Sequence, residues 1–159
     1  MARMSMDQLV RRGEDTKKEW NESVEEAQEI SKEIGEIKEE LLDMPGGLDD
    51  DILEQIRAAN EQARQEARAD MESRSKSKME KAVGDASDIK NDTGAKISEN
   101  MQAQDKLREV SGKAYGRDAI SRASSSLDQN SEQGQDLISD LDRSEQDARS
   151  IIDQLFSNI

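Results

Sequence analysis

Neither histidine nor cysteine occurs in this chain. Without cysteine there is no disulfide and no thiol chemistry, and the compartment stays open, because a cysteine-free chain tolerates reducing and oxidising surroundings alike. Without histidine the commonest general base is missing, and without cysteine the strongest nucleophile. Aromatic side chains are limited to Trp20, Tyr115 and Phe156. Interiors pack at crystal-like density, and so few bulky side chains cannot fill a wide core. A narrow seam between thin helices is the core that this composition can build. No apolar run approaches the roughly 20 residues of a membrane span. The opening stretch, MARMSMDQLVRR, lacks the apolar run of about 7–15 residues found in a cleaved signal peptide. The expectation is a protein that does not insert in membranes and is either cytoplasmic or secreted without a cleaved leader.

Positive charge is also scarce. The 23 Lys and Arg face 37 Asp and Glu, for a net charge of −14 and a pI of about 4.5. Nucleic-acid binders neutralise phosphates with basic side chains, and anionic lipid attracts basic segments, so neither is an expected partner. The acids sit at positions that a helix exposes, where they form a solvated face rather than a pair of buried, pKa-shifted catalysts. No GxGxxG or P-loop pattern is present. Asp49-Asp50-Asp51 lacks the spacing and the closing Glu of a calcium loop and reads as a helix start. The expectation is therefore no catalytic residue, no cofactor and no metal.

What the chain does carry is seven-residue periodicity. One position of the heptad reads Met6, Gly13, Trp20, Ala27, Ile34, Leu41, and its partner reads Leu9, Thr16, Ser23, Ile30, Ile37, Met44. Such 3-4 spacing, sustained over several heptads, predicts coiled-coil-like packing of an amphipathic helix. Ser5 with Gln8 fits a capping box, flanked by Met4 and Leu9 as a hydrophobic staple. The only proline, in Met44-Pro45-Gly46-Gly47, ends that helix. A second start lies within Leu48 to Asp51, with Asp51 and Glu54 as the capping pair. Its stripe runs Ile52, Ile56, Ala59, Ala63, Ala67, Met71, then Met79, Ala82, Ala86, Ile89. Residues 72–78 hold no apolar side chain and read as a bend or loop. Asn91, Asp92 and Gly94 predict a second break at 90–94. A third helix then uses Ala103, Leu107, Val110 and Ala114, followed by Ile120, Leu127, Gly134, Leu141, Ala148 and Leu155. Its two phases slip near Gly112 and Gly116.

The predicted fold is all-α: an elongated bundle of three long helices over a single domain, 1–159, with helices near 5–43, 49–89 and 95–157 and a break at 112–117. An amphipathic bundle without catalytic groups points to non-enzymatic protein binding. Trp20 lies on the seam and reads either as packing or as a partner anchor, since Trp is over-represented at binding hot spots. Ile138, Ile151, Ile152, Leu155 and Phe156 form the most apolar stretch near the end of the sequence. Ile151 and Leu155 follow the seam phase, while Ile138 and Ile152 widen the stripe, and a wider stripe calls for a second neighbour. These six residues are the predicted partner-binding set. The predicted partner is a larger protein with a basic-rimmed apolar groove, in a homo- or hetero-oligomer.

A helix, a tight Gly-bearing turn and a second helix, without cysteine or signal peptide, resemble the WXG100-type helical hairpins of type VII secretion and the helical accessory proteins of LXG-type toxins. The resemblance covers mainly residues 5–89 and is architectural. The family carries Trp-x-Gly at its turn; here the turn is Pro45-Gly46-Gly47, and Trp20 is followed by Asn21 and Glu22 in mid-helix, so that motif is not met. The family's Tyr-to-acid signal is matched only by Tyr115-Gly116-Arg117-Asp118, one residue too short. It implies an accessory partner of a larger secreted effector. The rival reading is a cytoplasmic SNARE-like or other coiled-coil adaptor or structural protein, from the heptads between Ile120 and Leu155 with Asn130 inside the seam.

Overall fold

The computed structural model describes residues 4–42, 46, 48–111 and 116–159. The chain is all-α: α1 spans Met6–Leu42, α2 Asp50–Met71, α3 Ser77–Ser111 and α4 Arg117–Asn158, with a π-helical turn, Glu72–Lys76, joining α2 to α3. No strand occurs among the described residues. The expected turn residues Met44, Pro45 and Gly47, and the Gly112–Tyr115 stretch, lie outside the described residues.

The helix starts follow side-chain chemistry. The backbone N–H of Ser5 donates to the Gln8 Oε1 atom at 2.9 Å, and the Gln8 N–H donates to the Ser5 hydroxyl at 3.3 Å. This is the reciprocal capping box expected for α1. α2 is capped two residues earlier than its sequence suggested. Asp49, not Asp51, accepts the Ile52 N–H at 2.9 Å, and Asp50 and Asp51 occupy the first turn, where carboxylates oppose the positive end of the helix dipole. Gly116, at φ +86°, precedes α4 in a left-handed conformation that glycine adopts without strain.

Two expected helix boundaries are corrected. Asn91, Asp92 and Gly94 lie inside α3, with no break at 90–94. Ile89 and Thr93 are buried to either side, followed by Asn100 and Gln104, and a continuous buried stripe outweighs weak local helix propensity. The residues expected in one helix from 95 to 157 divide between α3, which ends at Ser111, and α4, which begins at Arg117; most of the expected break, 112–115, lies outside the described residues. The stretch 72–78 is likewise helical rather than a loop. Its π turn takes up the extra residue between the stripe ending at Ala67 and Met71 and the one beginning at Met79 and Ala82. Buried Ser75 bridges the two.

Contacts divide the chain, read from sequence as one domain, into two compact units. Unit 1 comprises 1–17 and 83–144, and unit 2 comprises 18–82 and 145–159. Unit 1 joins α1, α3 and α4 through ion pairs between each pair of helices: Arg12 with Asp92 at 3.7 Å, Lys17 with Asp140 at 2.5 Å, and Lys90 with Asp142. Two glycines let the helices approach closely. A Cβ on Gly13 would lie 2.6 Å from a Leu137 methyl, and one on Gly134 would lie 2.8 Å from the Met6 methyl and 3.1 Å from Ile97. Met6, Leu9, Ile89, Leu137 and Leu141 form the apolar part of this core. In unit 2 the core is Trp20, Ala27, Ile30, Ile34, Ala67, Met71, Met79, Ala82, Ala148, Ile152 and Ile159. Lys78 of α3 pairs there with Glu26 of α1, and the adjacent carboxylate raises the Lys78 ammonium above its ordinary value of 10.5.

Candidate partner-binding groove

The predicted partner-binding set is divided by burial. Trp20 is 1% exposed and Ile152 is fully covered, so both belong to the core of unit 2 and are unavailable to a partner while that unit is folded. Ile138 is half-buried, as are Leu155 and Phe156. Ile151 alone of the six is exposed, at 37%. The seam and off-seam assignments near residue 150 are thus exchanged: Ile152 and Ile159 are buried where Ile151 and Leu155 were expected to be. The physical reason is the mismatch between 3.6 residues per helical turn and 3.5 per heptad half. The position counted strictly by sevens from Ala123, through Leu137 and Ser144, falls about 20° short of two full turns per heptad, so it reaches Ile151, one residue before the buried Ile152. Phe156 is held by cations of its own unit. The Lys76 ammonium sits 4.2 Å and the Arg68 guanidinium 5.7 Å from its ring centroid, within cation–π range.

A different surface of unit 2 is concave. α1 and α2 border a groove of about 650 Å³ whose lining includes Ile30, Ile34, Ala63 and Ala67. The alanines, which offered little area as core, leave a shallow channel between two helices. Its rim is acidic: Glu33 comes from α1, and Glu66 and Asp70 come from α2. Asp70 is partly neutralised by Arg74 at 3.0 Å, and Glu66 accepts from the Gln62 amide at 3.3 Å. On the same two helices, Ile37, Ile52 and Leu53 are 38–40% exposed. Sequence reasoning assigned Ile37, Ile52 and Ala63 to seams. The alanines still leave Ile30 and Ile34 buried, and the exposed apolar side chains fall near the end of α1 and the start of α2, at Ile37, Ile52 and Leu53.

The groove holds no acid–base or ligand constellation. Among the described residues there is no group of three or more His, Cys, Asp or Glu placed to hold a metal ion, and no helix is long and apolar enough to cross a membrane. Comparison with known protein families, curated proteins and solved structures gives no match.

Proposed function

We propose that this chain is a non-enzymatic protein-interaction module that receives an amphipathic helix of another protein in the α1–α2 groove. The observation that carries the reading is the concave α1–α2 surface with its rim of Glu33, Glu66 and Asp70, on helices that also leave Ile37, Ile52 and Leu53 exposed. Helix-in-groove recognition requires an apolar channel that matches an i, i+3, i+4, i+7 stripe. An acidic rim selects a helix flanked by Lys or Arg and speeds its approach at low salt. The role of accessory to a larger secreted effector is one biological setting for such a module, supported by the helical-hairpin architecture alone.

The test reverses the rim without touching the core. Glu33→Lys with Glu66→Lys should leave helicity and melting nearly unchanged, because both side chains are exposed. Partners recovered from the native cell by the unmodified chain should be lost by this variant, and their capture should weaken with added salt. Retention of every partner by the reversed rim would refute the groove.

A further inference from the structure

In unit 2 the π turn Glu72–Lys76 brings two cations to a single aromatic ring. Arg68 and Lys76 stand eight residues apart. At 3.6 residues per turn, eight residues overshoot two full turns by about 80°, so an unbroken α-helix would aim the two side chains to different sides. A π turn, closed by i→i+5 bonds, accommodates one extra residue and so withdraws one residue's rotation, about 100°. Arg68 and Lys76 are thereby returned to one side of the helix. Both reach the Phe156 ring of α4, the guanidinium at 5.7 Å and the ammonium at 4.2 Å from its centroid. The only phenylalanine in the chain therefore grips the helix before the π turn and again at its last residue.

The turn is not held by its own chemistry. Ser75 is fully buried within it, and the hydroxyl has no hydrogen-bond partner, which is a cost of the π form. The buried residues of α2 are Ala67 and Met71, so little apolar area opposes a rotation of that helix. We infer that Phe156 is a cation–π latch on the π turn. It holds α2 in the rotational phase that sets Ala63 and Ala67 beside Ile30 and Ile34 and places Glu66 and Asp70 at the rim of the groove. With the latch released, the π turn closes to an α turn and α2 rotates by about 100°, carrying the alanines and the rim away from α1. A helix received in the groove fits the latched phase alone, so occupancy and latch strengthen each other. That last consequence rests on the groove reading; the latch itself does not.

Amide hydrogen exchange of the full chain reads the latch without any partner. Phe156→Leu keeps an apolar side chain and removes the ring's attraction for both cations. Exchange across residues 66–77 should then quicken by at least about threefold, while the amides of unit 1 and the helicity stay as they were. Phe156→Tyr keeps the ring and should exchange like the unmodified chain. Deleting Ser73 supplies the control. It removes the extra residue, so Arg68 and Lys76 stand seven apart and align on an unbroken α-helix. In that background Phe156→Leu should lose most of its effect, because no π turn is left to close. The inference is overturned if Phe156→Leu leaves exchange unchanged, or if Phe156→Tyr is as fast as Phe156→Leu. It is equally overturned if unit 1 quickens as much as residues 66–77, or if the leucine variant is accelerated as much without Ser73 as with it.

Discussion

Ser75 is fully buried, and its hydroxyl has no hydrogen-bond partner. Other buried hydroxyls in this chain return to the helix backbone: Thr16 donates to the Arg12 carbonyl at 3.0 Å and Ser23 to the Glu19 carbonyl at 2.9 Å. Ser75 lies in the π turn, where the usual i−4 carbonyl is displaced from reach. An unpaired buried polar group costs roughly 1–3 kcal/mol of desolvation. Ser75→Ala should therefore stabilise the protein by about 1 kcal/mol in chemical denaturation, whereas Ser23→Ala should not. Trp20 combines the same liability with a large apolar benefit. Its ring is buried and its Nε1 donor is unpartnered. Trp20→Ala should cost about 3–5 kcal/mol, and Trp20→Phe far less, since it removes the unpaired donor while keeping most of the volume. Equal losses for the two variants, measured by urea unfolding, would show that the indole N–H is in fact stabilising.

The helices themselves were largely legible, and the reasons differ along the chain. In α1 the residues from Met6 to Ile34 that were spaced by threes and fours are the buried ones, because a repeating apolar spacing leaves a helix one face to hide. In α3 the Asn91, Asp92 and Gly94 cluster misled, since turn chemistry is local whereas the stripe through Ile89, Thr93 and Asn100 is cooperative along the helix. The groove was hidden for another reason. A seam position and a groove position share the same spacing, and only the presence or absence of a covering neighbour separates them. The glycines supply a test at this scale. Gly84 and Gly35 lie in helix interiors with no atom within 4 Å of a would-be Cβ, so alanine at either should raise stability by about 0.5–1 kcal/mol. Gly134 faces Met6 and Ile97 at 2.8–3.1 Å. Gly134→Leu should be destabilising by about 1–3 kcal/mol through overpacking. Thermal melts of the variants decide between these signs.

For the whole molecule, charge is the dominant global term. With 37 acids against 23 bases, self-repulsion opposes every compact arrangement at neutral pH. The interhelical ion pairs of unit 1 run the other way, but they are solvent-accessible and contribute little each. Net repulsion should win: the midpoint of thermal unfolding should rise as salt increases toward about 0.15 M, where exposed charges more than roughly 8 Å apart are largely screened. A midpoint that falls with salt would mean that the ion pairs outweigh the excess of acid.

Neither compact unit is a continuous piece of sequence. Unit 2 combines 18–82 with 145–159, and unit 1 combines 1–17 with 83–144. During synthesis the early helices α1 and α2 emerge long before the residues that complete either core. Ala148 and Ile152, which fill unit 2, follow Trp20 by more than a hundred positions. These closing contacts are non-local, and non-local contacts slow folding because loop entropy is spent before they form. A nascent chain of this kind leaves the ribosome with its isoleucine stripes still wet, and in that interval a chaperone or a binding partner has its first access to them.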